Sequence, residues 1–295
     1  MSRRGWLIVG GLVLLAWAGW QTFHKLEESA CLTPFVTLPS PLGETFTLAL
    51  VGDAGNEGEI PKQVAQAVAQ ACRAEGCNAL VLLGDNLYPN GISVPQDPRF
   101  QVLVLDRWSA LGIPVYVVLG NHDVRQSGLA QVALNGKQNW NLPSGNYGFS
   151  WGPARLLFLN SNCQGLEYLS PPSAPHQPWT LIFQHHNLYG TGDHGDASPF
   201  RRWLFDVLWG READLVISGH EHLLEHLTKR GANPQYLISG AAGGDVAETR
   251  QTSQAESRFR EAGPGFVLLQ VSPQAVRARF FDARPVLLKE VVIHP

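Results

Sequence analysis

Five stretches of nearly unbroken apolar residues punctuate the chain: "FTLALVG" (46–52), "NALVLLG" (78–84), "PVYVVLG" (114–120), "WTLIFQ" (179–184) and "ADLVISG" (213–219). A strand buried on both faces reads this way, without polar alternation. Between the first two, Ile60, Val64, Val68 and Ala71 recur at helical spacing, with Pro61 near the start and Gly76 at the stop. Residues 98–111 and 198–209 suit two further helices. "YGFSWGPARLLFLN" predicts a hairpin turning at Gly152-Pro153, and shorter β segments are expected at 223–229, 234–239, 265–271, 277–282 and 286–293. A polar loop fills 124–146 and a Pro-rich loop 169–178. The strand–helix alternation implies βαβ units with a parallel sheet, and the β-rich tail implies a second sheet packed on it in one domain, 46–295.

The N-terminus stands apart. Arg3 and Arg4 precede the apolar run Trp6–Trp20, which is short against the roughly 20 residues of a spanning helix. It fits a signal peptide, with Ala16-Trp17-Ala18 as a cleavage site, or an uncleaved membrane anchor over residues 1–23. Either reading places the protein outside the cytoplasm, in a periplasmic or extracellular setting. Residues 24–45 read as a linker. In an oxidising compartment Cys31, Cys72, Cys77 and Cys163 could pair in three ways, with Cys72 and Cys77 close enough to bridge a helix C-terminus. The formal net charge of −3 leaves no general basic surface for nucleic acid.

The chemistry sits where the apolar runs stop. They end in "GDAGN" (Asp53), "GDNLY" (Asp85, Tyr88), "GNHD" (Asn121, His122, Asp123), "HH" (His185, His186) and "GHEH" (His220, His222). Each cluster alone is an ordinary turn. Together they deliver oxygen and nitrogen donors to the crevice beyond the strand ends. The absence of thiolates favours Fe, Mn or Zn, and more than four donors favour two ions sharing a carboxylate.

The five blocks, in order, resemble those of calcineurin-like metallophosphoesterases, and most closely the purple acid phosphatases of the small tartrate-resistant type. The resemblance covers about Phe46 to Gly244 and implies an α/β four-layer sandwich: two mixed β-sheets flanked by helices, with a dinuclear metal site at strand C-terminal ends. It implies one ion held by Asp53, Asp85, Tyr88 and His222, and a second by Asp85, Asn121, His185 and His220. Where many relatives carry a histidine this chain has Gly55, and Tyr88 would replace it; a phenolate suits Fe(III), with Fe, Zn or Mn(II) beside it. The implied reaction is phosphate monoester hydrolysis of a small molecule or peptide by a metal-bound hydroxide. His122 would act as acid or charge stabiliser, Asp123 would orient it and His194 would add a donor. Asn187 and Asn160-Ser161 depart from the family pattern at positions that are not ligands. Glu221 is expected to face away from the metals, His186 to stand behind the ligands or face substrate, and His226 to have no role. The alternatives are a phosphodiesterase or nucleotide hydrolase on the same site, or a non-catalytic membrane-tethered module.

Overall fold

A computed structural model describes residues 21, 24–173, 177–243, 246–247 and 250–294. The run Trp6–Trp20, with its signal or anchor reading, lies outside the described residues, as does Gly244. The strands are β1 (Val36–Thr37), β2 (Phe46–Val51), β3 (Ala79–Leu82), β4 (Val115–Val117), β5 (Trp140–Asn141), β6 (Tyr147–Trp151), β7 (Ala154–Leu159) and β8 (Trp179–Gln184). They continue as β9 (Leu215–Ser218), β10 (Leu224–Thr228), β11 (Gln235–Ser239), β12 (Glu256–Glu261), β13 (Gly265–Val271), β14 (Val276–Asp282) and β15 (Leu287–Ile293). They form two mixed sheets, ordered β15-β14-β13-β2-β3-β4-β5 and β1-β6-β7-β8-β9-β11-β10-β12. The first is parallel from β2 to β5, and the second from β7 through β8 and β9 to β11.

The alternation of side chains along a strand explains why these runs are apolar throughout. In β7, Leu156 and Phe158 join the core shared with the other sheet, whereas Leu157 and Leu159 join a second core on the opposite face. β8 and β9 divide likewise, with Phe183 and Ile217 inward and Ile182 and Val216 outward. Helix α1 (Glu59–Glu75) buries Val64, Ala67, Val68 and Ala71, and Gly76 caps it in a left-handed conformation, φ 77°. Helix α2 is continuous but irregular: Pro98–Phe100, a π-helical stretch Gln101–Leu105, then Asp106–Ser109. The helices flank the two sheets, as the family resemblance implies.

Three segments differ from the sequence expectation. The loop 124–146 contains a short helix, α3 (Gly128–Val132), and strand β5. Strand β12 went unexpected because "ESRFRE" is polar and partly exposed; its pairing with β10, not apolarity, makes it a strand. Residues 24–45, expected as a linker, are tied down. Ala30 is buried, Cys31 is bonded to Cys163, and β1 pairs in parallel with β6. The second disulfide joins Cys72 to Cys77 across the end of α1. Helix α4 (Pro199–Leu208) covers the outer face of the second sheet, with Ser198 as its N-cap.

Candidate metal centre

The C-terminal ends of β2, β3, β4, β8 and β9 meet at one crevice, which is where the polar clusters lie. The turns are tight enough to force Asp53 (φ 61°), Asp85 (φ 52°) and His220 (φ 69°) into the left-handed region. Asp and His are among the side-chain-bearing residues that visit it most readily. Gly84 cannot be replaced: at φ 92° a Cβ there would stand 2.5 Å from Nδ1 of His185. Gly55 is equally constrained, since a Cβ would lie 2.5 Å from the Asn86 carbonyl carbon. The space beside Gly55 is filled by the backbone of the Asp85–Tyr88 loop.

The seven expected ligands converge in two groups that meet at Asp85. On one side the Tyr88 hydroxyl lies 2.9 Å from Asp85 Oδ2, 3.2 Å from Asp53 Oδ1 and 3.4 Å from His222 Nε2. His222 Nε2 is 3.5 Å from Asp53 Oδ1. On the other side His185 Nε2 lies 3.5 Å from Asp85 Oδ1, 2.9 Å from Asn121 Oδ1 and 3.2 Å from His220 Nδ1. The His185 ring is held by its Nδ1–H, which donates to the Leu83 carbonyl at 2.9 Å. That fixes the tautomer and turns the Nε2 lone pair toward the crevice. Backbone N–H groups steady both carboxylates, that of His122 donating to Asp85 Oδ1 and that of His220 to Asp53 Oδ2, each at 2.9 Å.

This donor set fits metal ions. Asp53 and Asp85 are buried, and ligand atoms of Asp53, Asp85 and His185 lie within 4.8 Å of one another. Among the described residues the ion-pair partners of both carboxylates are histidines; no lysine or arginine compensates them. Buried like charges this close are costly unless a cation joins them. Burial, then Asp53 and Asp85, push the Tyr88 phenol far above its ordinary pKa. Burial also lowers His220, with His185 adding to the effect. Burial alone would lower His185 too, but Asp85 and Asp53 outweigh it. Cations at this point would offset the Asp53 and Asp85 charges that add to the Tyr88 shift.

The residues expected to act on substrate divide differently. The His122 Nδ1–H donates to the Pro89 carbonyl at 2.6 Å, leaving Nε2 toward the crevice, 3.9 Å from Asp85 Oδ2 and 3.2 Å from Arg125 Nη2. The expectation that Asp123 orients this ring needs correction. The Asp123 carboxylate is fully buried and accepts from the N–H groups of Asn86 (2.9 Å), Leu87 (3.2 Å) and Gly120 (2.7 Å). It also accepts from the side-chain amides of Asn86 and Gln131, both at 2.9 Å. Its hydrogen bonds bind the "GDNLY" and "GNHD" loops to each other; Pro89 orients His122. Asp123's pKa is raised to about 6, by burial first and then by Asp85.

His194 stacks on His220, ring centroids 4.0 Å apart. Its loop is clamped by residues that sequence reasoning missed. Glu221 does turn away from the metal ligands, and it accepts the N–H groups of His194 and Gly195. Glu225 accepts the N–H and hydroxyl of Thr191 at 3.1 Å and 2.6 Å. The period of two along "GHEH" indicated Glu221's direction; the loop it reaches was invisible. His186 is held by Ser161, whose hydroxyl lies 2.9 Å from both its Nδ1 and its N–H. Asn160 holds the N-terminal segment, donating to the Ser29 carbonyl at 2.7 Å. His226 is buried against Gln235, 2.7 Å away. A cavity of about 240 Å³ opens beside the centre, reached by His186, His194 and His220 and walled by Asn187, Ser198 and Arg201.

Buried carboxylates and imidazoles at the ends of parallel strands from two packed sheets form a centre suited to metal ions. The calcineurin-like phosphoesterase family model matches residues 46–224, and the chain belongs to that family. Purple acid phosphatase 3 of Arabidopsis thaliana is 27% identical over 284 residues, spanning 83% of this chain and 76% of its own. Tartrate-resistant acid phosphatase type 5 of Mus musculus is 25% identical over 294 residues, spanning 84% and 89%. The solved structure of GAP50, described as the anchor in the inner membrane complex of Plasmodium, matches with a TM-score of 0.73 at 17% identity, covering 85% of this chain and 89% of its own. That likeness bears on the fold.

Proposed function

We propose that this protein hydrolyses phosphate monoesters at a dinuclear centre held by Asp53, Asp85, Tyr88 and His222 on one side and Asp85, Asn121, His185 and His220 on the other. The observation that carries the reading is the division of donors across Asp85: Oδ2 faces Tyr88 at 2.9 Å and Oδ1 faces His185 at 3.5 Å. Two cations there would supply charge to neutralise phosphoryl oxygens and to make a water molecule acidic enough to attack phosphorus. Tyr88, which would bind as a phenolate once a cation displaced its proton, is a hard anionic donor that favours Fe(III) on its side, and the histidine-rich side suits Fe, Zn or Mn(II).

The chain's own groups do the rest. The Pro89 carbonyl keeps a proton on Nδ1 of His122, so Nε2 is the atom that faces a leaving oxygen; with a second proton on Nε2, the imidazolium would hydrogen-bond that oxygen and hand it the proton. Arg125, 3.2 Å from that nitrogen, adds positive charge at the mouth. His194 presents its ring over His220 from a loop that Glu221 and Glu225 hold still. The test is metal analysis of the purified protein together with rates on a monoester and a diester. Two metal equivalents, faster monoester turnover and a visible absorption band that Tyr88→Phe abolishes are expected. A colourless, iron-free, active enzyme would remove the iron assignment, and a diester preference would remove the monoester reading.

We also propose export, with the N-terminal run as signal or anchor. Two disulfides support an oxidising compartment, and the apolar stretch Trp6–Trp20 behind Arg3-Arg4 supports membrane engagement. Among the described residues no helix is long and apolar enough to cross a membrane.

A further inference from the structure

Helix α4 carries large apolar side chains on the face turned away from the sheet as well as on the face packed against it. Arg201 and Arg202 are buried, each paired with a carboxylate: Arg201 with Glu167 at 2.7 Å and Arg202 with Asp196 at 2.8 Å. Phe205 also packs inward, with Leu204 and Leu208 partly buried against the same core, but the other large apolar side chains face out. Phe200 is 61% exposed, Trp203 57% and Val207 61%. These three occupy positions i, i+3 and i+7, one stripe along a helix. The 3₁₀ turn Leu166–Leu169 packs along α4 through Tyr168 and Phe205, with ring centroids 5.4 Å apart, and through the Glu167–Arg201 pair. Two further leucines on this turn are exposed, Leu166 (50%) and Leu169 (61%). Scattered exposed apolar residues need no explanation; a stripe with tryptophan and phenylalanine at its head, bordered by two leucines, does.

The chain itself points to the occupant. Leu166 lies three residues from Cys163, which is bonded to Cys31. Only ten residues separate Cys31 from Trp20, the end of the N-terminal apolar run. The disulfide thus ties the chain that follows this run to the segment that carries Leu166. From these observations we propose that the outer face of α4, with the Leu166–Leu169 turn, lies in the interfacial region of a lipid bilayer. The inference rests on the anchor reading of the N-terminal run. Trp203 and Phe200 would sit at headgroup depth, where aromatic side chains are favoured, and the leucines and Val207 would reach the acyl boundary. The cavity beside the metal centre is walled by Ser198 and Arg201, at the N-terminal end of the same helix. Docking α4 therefore holds the catalytic crevice close to the membrane surface.

The test uses the full chain reconstituted in phosphatidylcholine vesicles carrying shallowly brominated acyl chains, which quench nearby tryptophans. Wild type is compared with Trp203→Phe, a substitution at an exposed position outside the catalytic machinery. Quenching common to both proteins reports Trp6, Trp17 and Trp20 and so tests the anchor reading separately. Trp203 is one of nine tryptophans. The wild type is expected to lose more emission than the variant, by up to one ninth of the total. Equal quenching in the two proteins overturns the proposal whether or not the N-terminal tryptophans are quenched. A concentration-dependent dimer that Trp203→Ser abolishes, with α4 unquenched, also overturns it and assigns the face to a second copy.

Discussion

The carboxylate of Glu221 accepts the backbone N–H of His194 at 3.0 Å and that of Gly195 at 2.6 Å. A residue between two expected metal ligands thus places a third histidine against the His220 ring. Its geometry predicts that Glu221→Ala releases the 191–196 loop. Activity should fall roughly ten-fold through misplacement of His194, and leaving two N–H groups unpaired should cost about 1–3 kcal/mol of stability. Because both act through one ring, the double variant with His194→Ala should be no worse than His194→Ala alone. Metal content measured alongside kcat should stay at the wild-type level; loss of metal would make Glu221 a support for the centre instead.

Metal removal should expose the cost of the site itself. With the cations gone, Asp53 and Asp85 remain buried side by side, and chelation should lower the melting temperature. Asp53→Asn removes one of the two charges, and asparagine tolerates the left-handed backbone of this position (φ 61°). The metal-free variant should therefore be about 1–2 kcal/mol more stable than metal-free wild type, while binding less metal and losing activity. Thermal unfolding of both proteins with and without chelator checks this, and a metal-free wild type as stable as the variant would contradict it.

The two disulfides should contribute unequally. Cys31–Cys163 spans a sequence separation of 132 and Cys72–Cys77 one of 5. Loop-closure entropy then gives about 5 kcal/mol for the first and about 2 kcal/mol for the second. Urea midpoints of the paired Cys→Ser variants test the order. The long bridge should matter more, and its loss should also free residues 24–45 to proteolysis.

Stability should fall on mild acidification, in part through His226. Burial, with Arg258 and Lys289 nearby, holds its pKa below the ordinary value, and the Gln235 hydrogen bond opposes this only partly. The unfolded chain takes up the proton first, near pH 6.5, so the contribution is intact above that pH. It is lost as pH falls toward the folded pKa, at up to about 1.4 kcal/mol per pH unit. His226→Gln removes this proton uptake. Between about pH 7.5 and about pH 5.5 the variant should lose less stability in urea than wild type does. Equal losses would show that His226 is not a buried neutral imidazole.

The apolar runs and their polar endings determined most of this protein without any structure. A strand buried on both faces must be apolar throughout, so β2, β3, β4, β8 and β9 stood out, and the residues just past them could only lie at one edge of the sheets. Asp53, Asp85, Tyr88, Asn121, His185, His220 and His222 were legible for that reason. Strand β12 was not, because its partner rather than its composition makes it a strand. Nor was the true work of Asp123, Glu221 and Glu225, which hold loops far away in sequence through N–H groups that carry no residue-type signature. The pairing of Cys31 with Cys163 and the outward stripe of α4 were likewise decided only by the tertiary structure. Local pattern records which faces are buried; the packing of distant segments settles what a buried carboxylate, a cysteine or an exposed tryptophan finds beside it.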